Sequence, residues 1–438
     1  MLNRWLFKQV DNSALVVFRA LFGLLIAIEA FGAIFTGWVR RTLIEPDFTF
    51  NFIGFEFLQP LPGNGMLWYY GIMGIFGIFV MLGFKYRLSI IVYGIMWSAV
   101  YLMQKTSYNN HYYLLMLLCF IMSFLPAHRW FSLDAKINPS ISKISMPRWV
   151  WVIIVLQLWI VYTYASVAKF YPDWLDGSFP AFLMSTKADY WLVGDFLQQG
   201  WIRYAIAYFG LLFDLLIIPL LLWKKTRLPI FIAAIFFHLF NSFIFHIGIF
   251  PYMSLAFCIF FFPSEKINKW FLRNKKKYYD KGEIIVPPYR NILIGAMAVW
   301  FVIQISLPLR HWFFIDDVLW TEEGHRLSWR MMLRGKSGIV DFKVVEKGTS
   351  DTITINKEEY LSRKQQRAVS SKPDLMWQFA QRLEEEYAQE DKQIEVYVDS
   401  KISVNGRPYK QFVDPKVDLA IEEWQHFKHH DWILPSGE

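Results

Sequence analysis

YTYASVAKFYPDWLDG, residues Tyr162–Gly177, closes an apolar run with a single lysine, Lys169, and turns at once to aromatic and acidic residues. Such a change marks the edge of hydrocarbon, so the run before it reads as a membrane helix and the residues after it as an interface. An amine at that edge has two readings. It can snorkel to water as an anchor, or it can be withdrawn from water, where desolvation disfavours the ammonium form and leaves a base.

Other runs behave in the same way. Stretches long enough for a membrane helix, about 17–25 residues, occur at 14–37, 65–84, 87–104, 203–223, 228–245 and 291–309, and shorter or more mixed ones at 111–126, 148–167 and 247–262. The expectation is a polytopic all-α membrane bundle of about nine spans over residues 1–309. Composition agrees, since the 438 residues are 55% hydrophobic and 19% aromatic, which excludes an ordinary soluble domain. Arg4 and Lys8 precede the run Ala14–Trp38 without a small-residue cleavage signal, so that run is expected to be a first span rather than a removed signal peptide.

The net charge of +8 is unevenly distributed. Residues 1–309 hold 26 Lys and Arg against 14 Asp and Glu, and residues 310–438 hold 19 against 23. The basic excess therefore belongs to the membrane part, and no nucleic-acid footprint is read from it. With the N-terminus inside, inner segments hold 19 basic residues and outer loops six. This predicts a cytoplasmic N-terminus and an extracytoplasmic C-terminus. The stretch KWFLRNKKKYYDKG, Lys269–Gly282, then reads as a cytoplasmic linker suited to anionic lipid heads.

After Pro308 the composition becomes mixed and charged. IVDFKVV, DTITIN and IEVYVDSKISVNG read as strands, Asn405-Gly406 as a hairpin turn, and Pro373–Glu386 as an amphipathic helix. Residues 310–438 are thus expected to form a small β-rich α+β domain outside the membrane.

An intramembrane site draws its polar residues from one depth. The expected topology puts Asn109, Asn110 and His111 at the outer end of the fourth span, Lys169 at that of the fifth, His246 in the turn after the seventh and His311 just beyond the ninth. Each also has a plainer reading, as an interfacial anchor or hydrogen-bonding residue. His238 and Asn241, one turn apart, can satisfy each other or a neighbouring helix. Glu29 and Asp214 are acids within spans and so functional candidates or paired packing residues, with Arg19 a partner to consider. His426, His429 and His430 read as a metal set or as a solvated surface. Cys119 and Cys258 lie inside apolar runs, which argues against a disulfide or a cysteine metal site.

Several segments resemble one family in one order. KTSYNNHYYLLMLLCFIMSFLPAHRWFSLD (Lys105–Asp134), YASVAKFYPDWLDG (Tyr164–Gly177), FFHLFNSFIFHIGIFPYMSL (Phe236–Leu255), LSWRMML (Leu327–Leu333) and FVDPKVDLAIEEWQHFKHHDWILP (Phe412–Pro435) are similar to segments of the vitamin K-dependent γ-glutamyl carboxylases and their bacterial relatives. The resemblance implies a multi-pass enzyme of a bacterial cytoplasmic membrane. It would use vitamin K hydroquinone with O2 and CO2, and no metal, to convert peptide glutamate to γ-carboxyglutamate. Lys169 matches the lysine that deprotonates the hydroquinone, and His111 the histidine that supports the intermediates. An amine is too weak to remove a glutamate γ-proton, so oxygenation of the quinol, ending in the epoxide, must generate the stronger base in a dry enclosure. Asn109, Asn110, Asn241, His246, His311 and Trp329 are the expected substrate- or quinone-binding residues. Partners would be a glutamate-containing peptide or secreted protein and membrane lipid.

The chain is shorter than the animal enzymes and lacks the cysteines of their disulfide, which leaves propeptide recognition open. Two other readings stand beside the carboxylase. One is a quinol epoxidase without carboxylation. The other is a non-enzymatic lipid- or peptide-binding or transport protein, of which the absence of visible inverted repeats disfavours transport.

Overall fold

The computed structural model describes residues 1–348 and 352–437. Asp351, the first residue of the expected DTITIN strand, lies outside the described residues. The chain packs as two compact units: Met1–Ile44, Asn51–Thr163 and Phe213–Gln304 form one, and Glu45–Phe50, Tyr164–Leu212 and Ile305–Glu438 the other.

Among the described residues, seven helices are long and apolar enough to cross a membrane: Ser13–Phe35, Gly65–Leu82, Tyr86–Met103, Trp149–Val167, Gly200–Leu222, Arg227–Phe245 and Arg290–Phe313. The runs expected to give the fourth and eighth crossings form shorter apolar helices, Asn110–Phe124 and Phe250–Phe261. The count of nine therefore describes apolar helices, and seven describes those long enough to span. Local sequence explains the short ones. Asn109 caps one helix, its side-chain oxygen accepting from Tyr112 N at 2.8 Å, and Leu125 is already extended before Pro126. Gly248, at φ +60°, and Pro251 in the first turn delay the start of the other.

In the first unit, the helices Ser13–Phe35 and Gly65–Leu82 meet through small residues. A Cβ on Gly23 would lie 2.2 Å from Met81 N, and one on Gly77 2.9 Å from the Ala27 backbone. Only glycine permits that approach, the usual way membrane helices gain packing without a hydrophobic drive. Arg19 is fully buried and donates to the carbonyls of Val80, Met81 and Phe131. Its hydrogen-bond partners are thus backbone oxygens, and Glu29 binds elsewhere. Further along, Trp300 Nε1 donates to Gln157 Oε1 at 2.8 Å and Gln157 Nε2 to Gln304 Oε1 at 3.1 Å, polar glue inside an apolar bundle.

The second unit holds a four-stranded antiparallel sheet in the order Thr352–Thr354, Lys336–Glu346, Ile394–Val404, Lys410–Val413. Alternate residues of the central pair, Phe342, Val344, Val396 and Val398, face the core. The helix Pro373–Ala388 supplies Leu375, Met376, Phe379 and Leu383 to the same core. Asn405 and Gly406, at φ +55° and +78°, make the expected turn, closed by Arg407 N donating to Val404 O at 3.1 Å. Phe48 and Phe50 also enter this core, and Gln365 Nε2 holds Phe48 O at 2.8 Å.

Candidate functional site

Lys169 lies just past the helix Trp149–Val167, where its N–H bonds Ser166 O at 2.9 Å and Pro172 then opens a short helix, Pro172–Leu175. The side chain is 6% exposed and folds back into protein instead of reaching the surface. Its Nζ donates to Ala165 O at 2.9 Å and lies 5.3 Å from the centre of the Trp174 ring. Trp174 is itself packed with Phe179, Ala207 and Leu211, and its Nε1 donates to Ala207 O at 3.0 Å. The amine thus lies against an aromatic ring that is itself packed among apolar residues.

The loop carrying this lysine is clasped by the rest of its unit. Asp173 Oδ1 accepts from Arg407 Nη2 and its Oδ2 from Asn405 Nδ2, both at 2.7 Å. Asn405 also joins Gly335 through two bonds, Asn405 N to Gly335 O at 2.8 Å and Gly335 N to Asn405 Oδ1 at 3.0 Å. Tyr171 donates its hydroxyl to Leu333 O. Leu333 ends the LSWRMML segment, in which Leu327, Trp329 and Met332 all adopt positive φ. Three such side-chain-bearing residues within six are costly, of order 1–3 kcal/mol each, and strain of this kind gathers at functional sites. Trp329 is 1% exposed. His311 Nδ1 faces Pro308 O at 2.8 Å and so carries the proton, leaving Nε2 to accept from Arg330 Nη1 at 3.4 Å. Gly324 at φ +74° lies against His311, where a Cβ would come within 2.7 Å of the His311 backbone.

Beside this segment is a buried ionic cluster that none of the sequence expectations included. Glu322 Oε1 accepts from Arg334 and from Lys336 Nζ, the latter at 3.5 Å, while Arg334 Nη1 reaches His325 Nε2 at 3.0 Å. Burial alone would raise the Glu322 carboxyl, but Arg334 and Lys336 hold it well below the usual carboxylate range. Burial lowers Lys336 to about 7 and Lys372 to about 8, and pushes His325 well below its ordinary value. Nearby, Arg326 makes a bidentate pair with Asp374 at 2.7 and 3.1 Å. No periodicity reveals such a cluster, because its members come from a turn, a strand start and the residue before a helix.

The first unit holds the other expected site residues. His111, in the first turn of Asn110–Phe124, stacks on Phe250 with ring centres 3.8 Å apart and planes 18° apart. Phe250 also meets His238 edge-on at 6.4 Å, and the His238 ring nitrogen Nε2 contacts the Tyr162 hydroxyl at 3.2 Å. His238 is therefore satisfied by a neighbouring helix. Asn110, 5% exposed, accepts from the Tyr108 hydroxyl at 2.8 Å. Asn241 is half-buried, and His246 is exposed at the left-handed end of its helix. Glu29 Oε1 accepts from the Tyr112 hydroxyl at 2.5 Å, and its Oε2 lies beside Gly248. The fourth-helix start and the 246–250 turn are thereby held together around His111. Asp214 is buried in its helix.

Among the described residues, no group of three or more His, Cys, Asp or Glu side chains is placed to hold a metal ion. The C-terminal histidines have other partners: His429 Nδ1 meets Glu323 Oε2 at 2.7 Å, and His430 packs on Trp424 at 4.3 Å.

Residues 7–266 match the HTTM domain family, and residues 289–438 match the lumenal domain of vitamin K-dependent gamma-carboxylase. No solved structure matches the chain. One match covers more than half of the chain and the second covers most of the remainder, so the chain belongs to the vitamin K-dependent gamma-carboxylase family.

Proposed function

We propose that this chain is a membrane-embedded vitamin K-dependent γ-glutamyl carboxylase in which Lys169 is the base for the hydroquinone. The observation that carries the reading is the amine of Lys169, buried against Trp174 on a loop anchored through Asp173. A phenol is a weak acid, and a positioned amine shielded from water is a suitable acceptor for its proton. Trp174, Phe179 and Leu211 make the packing beside the lysine loop apolar, which suits a site for an apolar quinol. When bound, reduced vitamin K would supply, through its oxidation by O2, a base strong enough to take the glutamate γ-proton, and the resulting carbanion would be the group that CO2 adds to.

His111, stacked on Phe250, is assigned to support of the reacting groups, and Asn110 to their orientation. His311 and Trp329, beside and in the strained segment respectively, are assigned to peptide or quinone contact. Asn109 acts through the helix it caps. The basic inner segments support a cytoplasmic N-terminus and an extracytoplasmic C-terminal domain.

Purified protein incubated with vitamin K hydroquinone, O2, labelled CO2 and a glutamate peptide should form epoxide and labelled γ-carboxyglutamate together. Epoxide without label in any host-derived peptide would reduce the function to quinol oxygenation. Well-folded protein that forms neither would remove the enzyme reading.

A further inference from the structure

Between the apolar helix ending at Phe261 and the one beginning at Arg290 lies a segment carrying Lys266, Lys269, Arg273, Lys276, Lys277 and Lys281. It is pinned in place. Lys275 is 7% exposed and donates to Asp11 Oδ1 at 2.8 Å, Ser13 Oγ at 2.6 Å and Ile144 O at 3.3 Å. The Tyr278 hydroxyl donates to Gln9 O at 3.1 Å, and Lys8 pairs with Asp280 at 2.6 Å. The segment therefore has a defined outer face.

Its helix Ser264–Phe271 turns Ile267 inward, 1% exposed, and Leu272 anchors its end at 4%. Lys266, Lys269 and Trp270 recur at i, i+3 and i+4 on this helix, Arg273 follows its end, and all four are exposed. A cavity of about 470 Å³ opens there, and Lys269, Arg273 and Lys277 line it together with Trp270 and Tyr278. Glu265 is the one acid among its lining residues. Among the described residues, neither Lys269 nor Arg273 has an ion-pair partner.

We propose that this cavity binds the phosphate headgroup of an acidic phospholipid, with Lys269, Arg273 and Lys277 around the phosphate. Charge complementarity identifies an anion, and the aromatic residues identify its source. Trp270, Phe271 and Tyr279 are 57%, 49% and 68% exposed. Such rings beside lysines and arginines, where apolar helices begin and end, suit the headgroup level of a bilayer. A free phosphate ion would make no use of them.

The full-length protein in mild detergent is titrated separately with dioleoyl phosphatidylglycerol, dioleoyl phosphatidylcholine and inorganic phosphate, and native mass spectrometry counts what stays bound. We expect phosphatidylglycerol to be retained in preference to phosphatidylcholine, and phosphate not to displace it. Combining Lys269→Gln, Arg273→Gln and Lys277→Gln should weaken retention about 100-fold, roughly fivefold per charge, the equivalent of about 1 kcal/mol for each basic residue near an anionic surface. Arg273→Gln alone should weaken it about fivefold, which keeps the test informative if the triple variant folds poorly. Lys224→Gln with Lys225→Gln, outside the cavity, should leave it unchanged. Equal retention of both lipids, or unchanged retention in the Arg273 variant, overturns the proposal. Displacement by inorganic phosphate also overturns it, by making the cavity a small-anion site.

Discussion

Arg407 Nη2 donates to Asp173 Oδ1 at 2.7 Å, joining the turn after strand Ile394–Val404 to the loop four residues beyond Lys169. Arg407→Ala leaves a mostly buried carboxylate with Asn405 alone. A charged hydrogen bond of this kind contributes about 1.5–3 kcal/mol, less here because the Arg407 side chain is 44% exposed. We expect a lower melting temperature and a several-fold loss of epoxidation rate. In a double-mutant cycle with Asp173→Asn, the coupling should be about 0.5–2 kcal/mol. No coupling would mean that the clasp does not hold the lysine loop.

His111 and Phe250 share a stacked contact at 3.8 Å. His111→Ala should lower activity about 10²-fold or more, the scale of a positioned polar group in catalysis, with helical content preserved. Phe250→Leu keeps the apolar volume but removes a stacking term of about 0.5–1.5 kcal/mol, so a roughly three- to tenfold loss is expected. An unchanged rate in both variants would return His111 to a packing role.

The Glu322 cluster gives the second unit a distinctive pH response. Lys336 stands at about 7 in the folded chain against an ordinary 10.5, because burial disfavours its charge. Between those values the unfolded chain binds more protons than the folded one, so stability rises with pH across that window. Glu322 works at the other end: its lowered value contributes stability above the ordinary 4.5 that is lost as pH falls through that range. Thermal melts should show a gain from neutral to mildly alkaline pH that Lys336→Met flattens. A variant melting curve with the same alkaline gain would show that other groups cause it.

Two glycines on one helix provide a packing test. Gly23→Ala must push against Met81 N, 2.2 Å from the new Cβ, while Gly32→Ala meets nothing within 4 Å. We expect Gly23→Ala to destabilise the membrane unit by about 1–3 kcal/mol, as overpacking does, and Gly32→Ala to be neutral or slightly stabilising. Detergent-resistant melting temperatures separate the two, and equal effects would contradict the close approach.

The parts of the structure set by local pattern were legible in the sequence. Hydropathy located the apolar helices, alternation located the strands around Phe342 and Val398, and Asn405-Gly406 marked a turn whose two positive φ values only such residues accept readily. What depended on distant parts meeting was not legible. Phe48 and Phe50 enter the core of the second unit from a loop after the first helix. Lys169 packs with residues 164–212 and the C-terminal domain in one unit. Glu322, His325, Arg334 and Lys336 become a site only when a turn and a strand are brought together. For candidate residues the same line holds: Asn109 was visible as a polar residue at a helix start, but its capping bond to Tyr112 N gives it a structural task. His238 was visible as a histidine within a span, satisfied by Asn241 or a neighbouring helix, but its partner, Tyr162, is 76 residues away.

The most direct measurement is the rate of vitamin K epoxide formation by Lys169→Ala as a function of pH. Loss of a positioned general base should lower the rate about 10²–10⁴-fold near neutral pH. Part of it should return at alkaline pH, where the hydroquinone ionises without help, while the wild type gains little. Near wild-type epoxidation by Lys169→Ala at neutral pH would contradict the assignment of Lys169 as the base and leave it a buried structural amine.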